Sequence, residues 1–332
     1  MTNNTVPVIS IVLTVYNKAP ILPDVVASLA CVNTSVPVEW IFVDDHSTDG
    51  SAELLAHLCS GHKESQIIVN TENRGPSIRL NQGARAARGE WLVLIDGDDF
   101  LAPNAPEWMY QQLISHQADV FYGGIKKTSS EPKDLIGKPT DLSAPIFRSE
   151  TPFSTVLSGK FVRMSLMVKR DLFLEAGGAD ERIFIQDESI PLRLSYRSQC
   201  WLYSTTPIVW IIDPESTKNG TQQNNIAKVS HLSESKIQQQ HDRFLAYYHL
   251  YRDTKNDEMD CRLRSIIIKR AISAYWKLWR TKPWWNATRS VRLIEYILYK
   301  TGILKIKINR LDEIYYEIMN IQSIHRTSTD SV

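Results

Sequence analysis

The sequence predicts an α/β fold: a mostly parallel sheet flanked by helices, followed by a helical extension. Three observations carry this. Short apolar runs of the kind buried on both faces of a sheet, at 8–15, 38–43, 66–69 and 91–95, alternate with helical patterns over about the first hundred residues. Two of those runs end abruptly in acids, Asp44-Asp45 and Asp96-Gly97-Asp98-Asp99. From 233 to 321 the pattern is helical, broken at Pro283 and Gly302.

Taken in order, strand 8–15 leads to a helix over 21–29. Strand 38–43 runs into Asp44-Asp45, and Ser47-Thr48-Asp49 offer capping side chains to a helix over 52–58. Strand 66–69 precedes a helix over 76–87 with Pro76 in its first turn, and strand 91–95 follows. Beyond Pro103 the rhythm changes: a helix at 107–116, a strand at 119–122, then a polar stretch 126–149 with three prolines that reads as loop. A strand at 162–168, a helix at 169–176 ended by Gly177-Gly178, a helix at 187–198 and strands at 201–204 and 208–212 come next. Residues 213–230, rich in Asn, Gln, Thr and Ser, read as a mobile loop. The expected divisions are 1–105, 106–231 and 232–332.

The composition of the 332 residues, 43% hydrophobic and 23% charged, is that of an ordinary soluble globular protein. Four cysteines without CxxC spacing give neither a zinc cluster nor a disulfide framework, which fits a reducing cytoplasm. The N-terminus lacks the basic and apolar regions of a signal peptide, and no run approaches the roughly 20 apolar residues that span a bilayer. A soluble or peripheral protein is expected. The net charge of +1 conceals an asymmetry: 232–332 carries a balance of +7 and 1–231 one of −6. Between Arg262 and Arg310 stand 13 basic residues and a single acid, Glu295. Trp284, Trp285, Tyr296 and Tyr299 add interfacial aromatics, so this stretch suits an anionic membrane surface as well as a structural helical tail. Nucleic acid is disfavoured, since no reader motif is present and the front half is acidic.

In an open parallel sheet, ligands bind beyond the carboxyl ends of the strands. Asp96, Asp98 and Asp99 occupy that position, and three acids there repel one another unless a cation or several donors sit among them. Hard oxygen ligands of this kind suit Mg2+ or Mn2+ bridging to a nucleotide's phosphates; the plainer alternative is a polar loop with its acids in water. Around them, Tyr16 closes the first strand and can face a base. Asp45 can accept the imide N–H of uracil, and Arg74 and Arg79 can pair with phosphate oxygens.

The segments LTVYN, VDDHSTDGS and NRGPSIRLNQGARAARGEWLVLIDGDD together resemble the family 2 glycosyltransferases of GT-A fold, strongly over residues 8–105. The likeness continues more loosely through RDLFLEAGGADERIFIQDESIPLRL. The resemblance implies that Thr14, Tyr16 and Asp45 hold the base, that Asp96 and Asp98 address ribose and metal, and that Asp98 or Asp99 is the direct metal ligand. Arg79 stands at the phosphate-side Arg, and the catalytic base maps to Asp187. Because Gln186 replaces the first of the family's two acids there, Glu188 is a rival base; Asp187 is also a good helix cap. His46 stands where the family commonly has Gly. His231 could complete the metal shell, although a solvated loop His serves equally, and 213–230 is similar to the loop that closes over donor sugar.

The implied activity is that of an inverting, metal-dependent transferase of hexosyl type. Its donor would be a nucleotide-sugar, a UDP-sugar foremost, and its acceptor a glycan or lipid-linked chain in bacterial surface polysaccharide or lipopolysaccharide synthesis. The setting would be the inner face of the cytoplasmic membrane. Inversion at the anomeric carbon needs one acid to take the acceptor proton and a cation to stabilise the leaving diphosphate. Two rivals are a nucleotidyltransferase, which should show a Gly-rich, Lys-containing phosphate loop that residues 13–20 do not supply, and a silent glycan- or membrane-binding scaffold, which should have lost the acids.

Overall fold

The computed structural model describes residues 6–158, 161, 164–212, 232–281, 311–312 and 314–315. The chain divides into two compact units, Met1–Lys228 and Val229–Val332.

In the first unit, β1 (Ile9–Val15), β2 (Val38–Asp44), β3 (Ser65–Val69) and β4 (Trp91–Asp96) are parallel, in the spatial order β3-β2-β1-β4. Alternation along β1 sends Ile9, Ile11, Leu13 and Val15 into one core with Leu22, Val25 and Leu29 of α1 (Leu22–Ala30). Val12 faces the other side, against α3 (Pro76–Ala86), where a Cβ on Gly83 would stand 2.4 Å from Val12 Cγ1. Only glycine lets that helix lie so close. Both faces are thus covered, and each fully buried aliphatic of β1 contributes about 1.5–3 kcal/mol. Between β2 and β3 lies α2 (Ser51–Leu58). The register pairs Thr14 with Asp96 and Val15 with Asp44, so the acidic ends of β2 and β4 flank the end of β1.

The sheet continues through β5 (Phe100–Leu101), β6 (Val120–Thr128), β7 (Ile146–Ser149), β8 (Leu166–Lys169) and β9 (Trp201–Ile212), in the order β4-β8-β6-β9-β5 with β7 on β9. Because β8 is antiparallel to both β4 and β6, the sheet is mixed. Helices α4 (Ala105–His116), α5 (Pro152–Leu157), α6 (Arg170–Glu175) and α7 (Ile190–Arg197) complete the unit. Strands from before and after residue 105 therefore share one sheet.

Several elements differ from the sequence expectation. The stretch expected as loop over 126–149 begins as the end of β6, holds a 3-10 turn at Pro132–Leu135 and ends as β7. The two strands expected at 201–204 and 208–212 are one, β9. It stays continuous past Pro207 because the β6 register shifts on either side of Gly124, opposite Pro207. A Cβ on Gly124 would stand 2.4 Å from the Thr205 carbonyl oxygen, so the bulge needs glycine. Of the strand expected at 162–168, the described part that forms strand is β8, and 162–163 lie outside the described residues. The helix expected from 187 splits into a 3-10 turn, Gln186–Glu188, and α7, whose start Pro191 sets by offering no N–H to a preceding turn.

In the second unit, α8 (Leu232–Asp253) and α9 (Cys261–Thr281) pack on each other through Phe244 and Tyr275, ring centroids 6.4 Å apart. The break lies at 254–260; those expected at Pro283 and Gly302 fall outside the described residues. Ile267, Ile272, Tyr275 and Trp276 are buried, whereas Arg262, Lys269, Arg270 and Lys277 are exposed. Among the described residues, no helix is long and apolar enough to cross a membrane.

Candidate active site

The turn after β1 is built first. Asn17 sits in the left-handed region at φ 52°, and its side-chain oxygen accepts the Thr48 N–H at 2.8 Å. The N–H groups of Asn17, Lys18 and Ala19 donate to Ser47 Oγ, Ser51 Oγ and Asp49 Oδ2 at 2.9, 2.9 and 3.0 Å. Ser47-Thr48-Asp49 thus clamp the β1 turn rather than only capping α2, whose cap position is Gly50. His46 holds a left-handed φ of 62°, which explains why glycine is the easier occupant of that position.

Asp45, 4% exposed, receives the N–H groups of Arg74 and Gly75 at 2.8 and 2.7 Å and Arg79 Nε at 2.6 Å. Three donors fill three of about four acceptor positions on a carboxylate, leaving one on Oδ2. Arg79 is equally buried. Its guanidinium goes to Asp45, Asn70 Oδ1, Gln82 Oε1 and the Glu72 carbonyl, at 2.6, 2.9, 3.2 and 2.5 Å. The guanidinium expected from sequence at phosphate is engaged here in an internal network, and it holds Asp45 in place. Arg74 is half-exposed, its Nε 3.7 Å from Glu72. Tyr16, at 40% exposure, and the half-buried Thr14 close β1 nearby.

At the end of β4, Gly97 donates its N–H to the Thr14 carbonyl at 3.0 Å, and a Cβ there would stand 2.5 Å from that oxygen. Glycine is therefore what lets the acidic turn fold back on β1. Asp96 and Asp98 are half-buried and Asp99 is 5% exposed. Burial, then the Asp98 charge, pushes Asp96 up to about 6, against the favourable pull of Lys18 and Gln186. Burial pushes Asp99 well above the usual carboxylate range, with Asp98, Asp96 and Asp187 adding to the rise. Lys18 Nζ lies 2.5 Å from Asp98 Oδ2.

These residues fit a hard divalent cation. All donors are carboxylate oxygens, they repel one another, and an ammonium already neutralises one of them. Among the described residues no three His, Cys, Asp or Glu side chains form a ready-made shell. The fit is to an ion that takes one or two carboxylates and completes its coordination elsewhere, the usual manner of Mg2+ at phosphates. His231 lies outside the described residues.

A second segment meets the acids. Asn81 of α3 is bonded both ways to Ala179, Nδ2 to the carbonyl at 2.9 Å and Oδ1 from the N–H at 2.8 Å. Asp180 is forked by the Arg182 guanidinium at 2.7 and 2.9 Å, and its backbone N–H donates to the Ser189 hydroxyl oxygen at 3.0 Å. So held, Gln186 Nε2 donates to Asp96 Oδ1 at 2.9 Å. Asp187 is half-buried in the 3-10 turn, within electrostatic reach of Asp99, and Glu188 is 6% exposed. Sequence reasoning missed Lys18 and Asn81 as parts of the site. Lys18 is separated by 80 residues from Asp98, and no local pattern links them.

Residues 10–168 match the model of glycosyl transferase family 2. Residues 10–168 thus form a family 2 glycosyltransferase domain. Among curated relatives, an uncharacterized glycosyltransferase of Haemophilus influenzae is 28% identical over 167 residues, 50% of this chain and 63% of that protein. The poly(ribitol-phosphate) beta-glucosyltransferase of Bacillus spizizenii is 30% identical over 165 residues, 48% of this chain and 25% of that protein. The chain thus spans under two thirds of the length of these relatives. Among solved structures, S. aureus TarS 1-349 superposes with a TM-score of 0.61 at 14% identity, covering 83% of this chain and 73% of TarS. The Pyrobaculum calidifontis mannosyltransferase in complex with GDP-Man and Mn2+ superposes at 0.54 with 15% identity, covering 98% and 84%. The fold shared with these structures is GT-A, and in sequence two helices follow the sheet.

Proposed function

We propose that this chain is an inverting glycosyltransferase that moves a sugar from a nucleotide-sugar, foremost a UDP-sugar, to a glycan or lipid-linked acceptor of a bacterial surface polysaccharide. The observation that carries the reading is the hydrogen bond from Gln186 to Asp96, which joins the turn bearing Asp187 to the acids at the end of β4. A proton acceptor and a diphosphate-side charge cluster meet at one sheet edge, as displacement at an anomeric carbon requires.

In this reading Thr14, Tyr16 and Asp45 hold the base, with the free acceptor position on Asp45 facing an imide N–H. Arg79 keeps the Asp45 carboxylate oriented. Asp98 and Asp99 hold Mg2+ or Mn2+, and Asp96 turns to the ribose. When bound, the cation supplies positive charge to the leaving diphosphate. Asp187 takes the proton from the acceptor hydroxyl as its oxygen attacks, and Glu188, more deeply buried on the same turn, supports that turn. The front unit comprises a donor half to residue 105 and an acceptor half beyond it. The exposed cations of α9 support docking of the second unit at an anionic membrane surface, the enzyme working from the cytoplasmic side.

A screen of nucleotide-sugars for hydrolysis with Mn2+ or Mg2+, on wild type and Asp187→Asn, tests the reading. One UDP-sugar should be consumed preferentially, and transfer should fall by about 10²–10⁴-fold in the variant. Binding of the same donor should persist. Turnover of no nucleotide-sugar, or full transfer by Asp187→Asn, overturns it.

A further inference from the structure

Lys18 is held at two points, its backbone N–H in the turn after β1 and its ammonium at the acid cluster. Its N–H is anchored on Ser51 Oγ, in a turn stapled to residues 47–49 by three further hydrogen bonds, so the side chain has a fixed origin. From there it crosses the end of β1 to Asp98, with 17% of the side chain exposed against 26% for Asp98. Its positive charge also lowers the cost of ionising Asp96 and Asp99. An ammonium held at one carboxylate of three competes for the same oxygens as any divalent cation, because both neutralise the same repulsion.

Resting on the metal-site reading above, we propose that Lys18 is a resident counter-cation that a divalent ion must displace from Asp98, so that metal binds weakly until a nucleoside diphosphate is present. With the diphosphate bound, its negative oxygens offer the displaced ammonium a new partner and offer the metal further ligands. Metal and nucleotide would then bind cooperatively, and each would strengthen the other by the same factor. Lys18 acts here as a positioning residue, through charge alone.

Mn2+ titration by electron paramagnetic resonance on the full chain, with and without UDP, measures this directly and needs no turnover. Wild type should bind Mn2+ weakly alone and more tightly with UDP. Lys18→Met should bind Mn2+ alone on the order of tenfold more tightly, shrinking the gain from UDP. Lys18→Arg should keep the wild-type pattern, and thermal melts check that both variants fold. Unchanged or weaker Mn2+ binding by folded Lys18→Met overturns the proposal while leaving the metal reading intact. The same holds if Lys18→Arg behaves like Lys18→Met, since charge would not be the agent. If no chain binds Mn2+ even with UDP, the metal reading falls and this proposal with it.

Discussion

Gln186 Nε2 donates to Asp96 Oδ1 at 2.9 Å across 90 residues of chain. The bond joins the acids at the end of β4, the proposed diphosphate side, to the turn of Asp187, the proposed base. A hydrogen bond to a charged group contributes about 1.5–3 kcal/mol. Gln186→Leu should therefore lower turnover more than it weakens UDP binding, because the turn loses its tether while the base site is untouched. Steady-state kinetics beside UDP titration check this; equal losses in both would assign Gln186 a binding role instead.

Arg79 and Asp45 form an ion pair in which each side chain is 5% exposed. Removing one partner of such a pair costs about 3–5 kcal/mol, since the other charge stays buried. Arg79→Met should lower the urea midpoint accordingly and weaken UDP binding by misplacing Asp45. Arg79→Met combined with Asp45→Asn should be less destabilised than the single change. Loss of phosphate affinity with stability unchanged would restore Arg79 to the phosphate side.

Asp99 has a raised carboxyl, so the folded chain holds its proton to higher pH than the unfolded chain does. The sign follows: its protonated form contributes stability that is complete below the ordinary value of 3.8 and is lost as pH rises through the folded value. Asp96 behaves alike, through about 6. In EDTA at pH 7.5, Asp99→Asn should melt higher than wild type, and the advantage should shrink as pH falls toward 4, where wild-type Asp99 carries its proton. Adding Mn2+ at pH 7.5 should raise the wild-type melting temperature and not that of the variant. Melting curves over pH settle the sign, and a less stable Asp99→Asn at pH 7.5 would mean that its neighbours favour the anion.

Arg262, Lys269, Arg270 and Lys277 are exposed on α9. Each cation near an anionic leaflet contributes on the order of 1 kcal/mol, fading over a Debye length of about 8 Å at physiological salt. Replacing Lys269, Arg270 and Lys277 by Gln should cut co-sedimentation with phosphatidylserine vesicles at low salt, and high salt should do the same to wild type. Equal sedimentation of both chains at low salt would make the α9 cations a solvated face.

The sequence by itself determined the sheet, most of its parallel half and the acids at its edge. The reason is local: a strand buried on both faces is a short apolar run, and its end is written by the residues that follow it, as in Trp91–Asp96. The family resemblance around these residues also points to Asp187 as the proposed base. What only the tertiary structure decided was pairing at long range. Arg79 pairs with Asp45, Lys18 crosses to Asp98, and Gln186 reaches Asp96 because the fold brings those residues together. A charge has no periodicity, so its partner cannot be found along the chain. The same holds for β9, whose continuity past Pro207 depends on the bulge at Gly124 in a strand some eighty residues earlier, a matter of packing space that no stretch of β9 itself records.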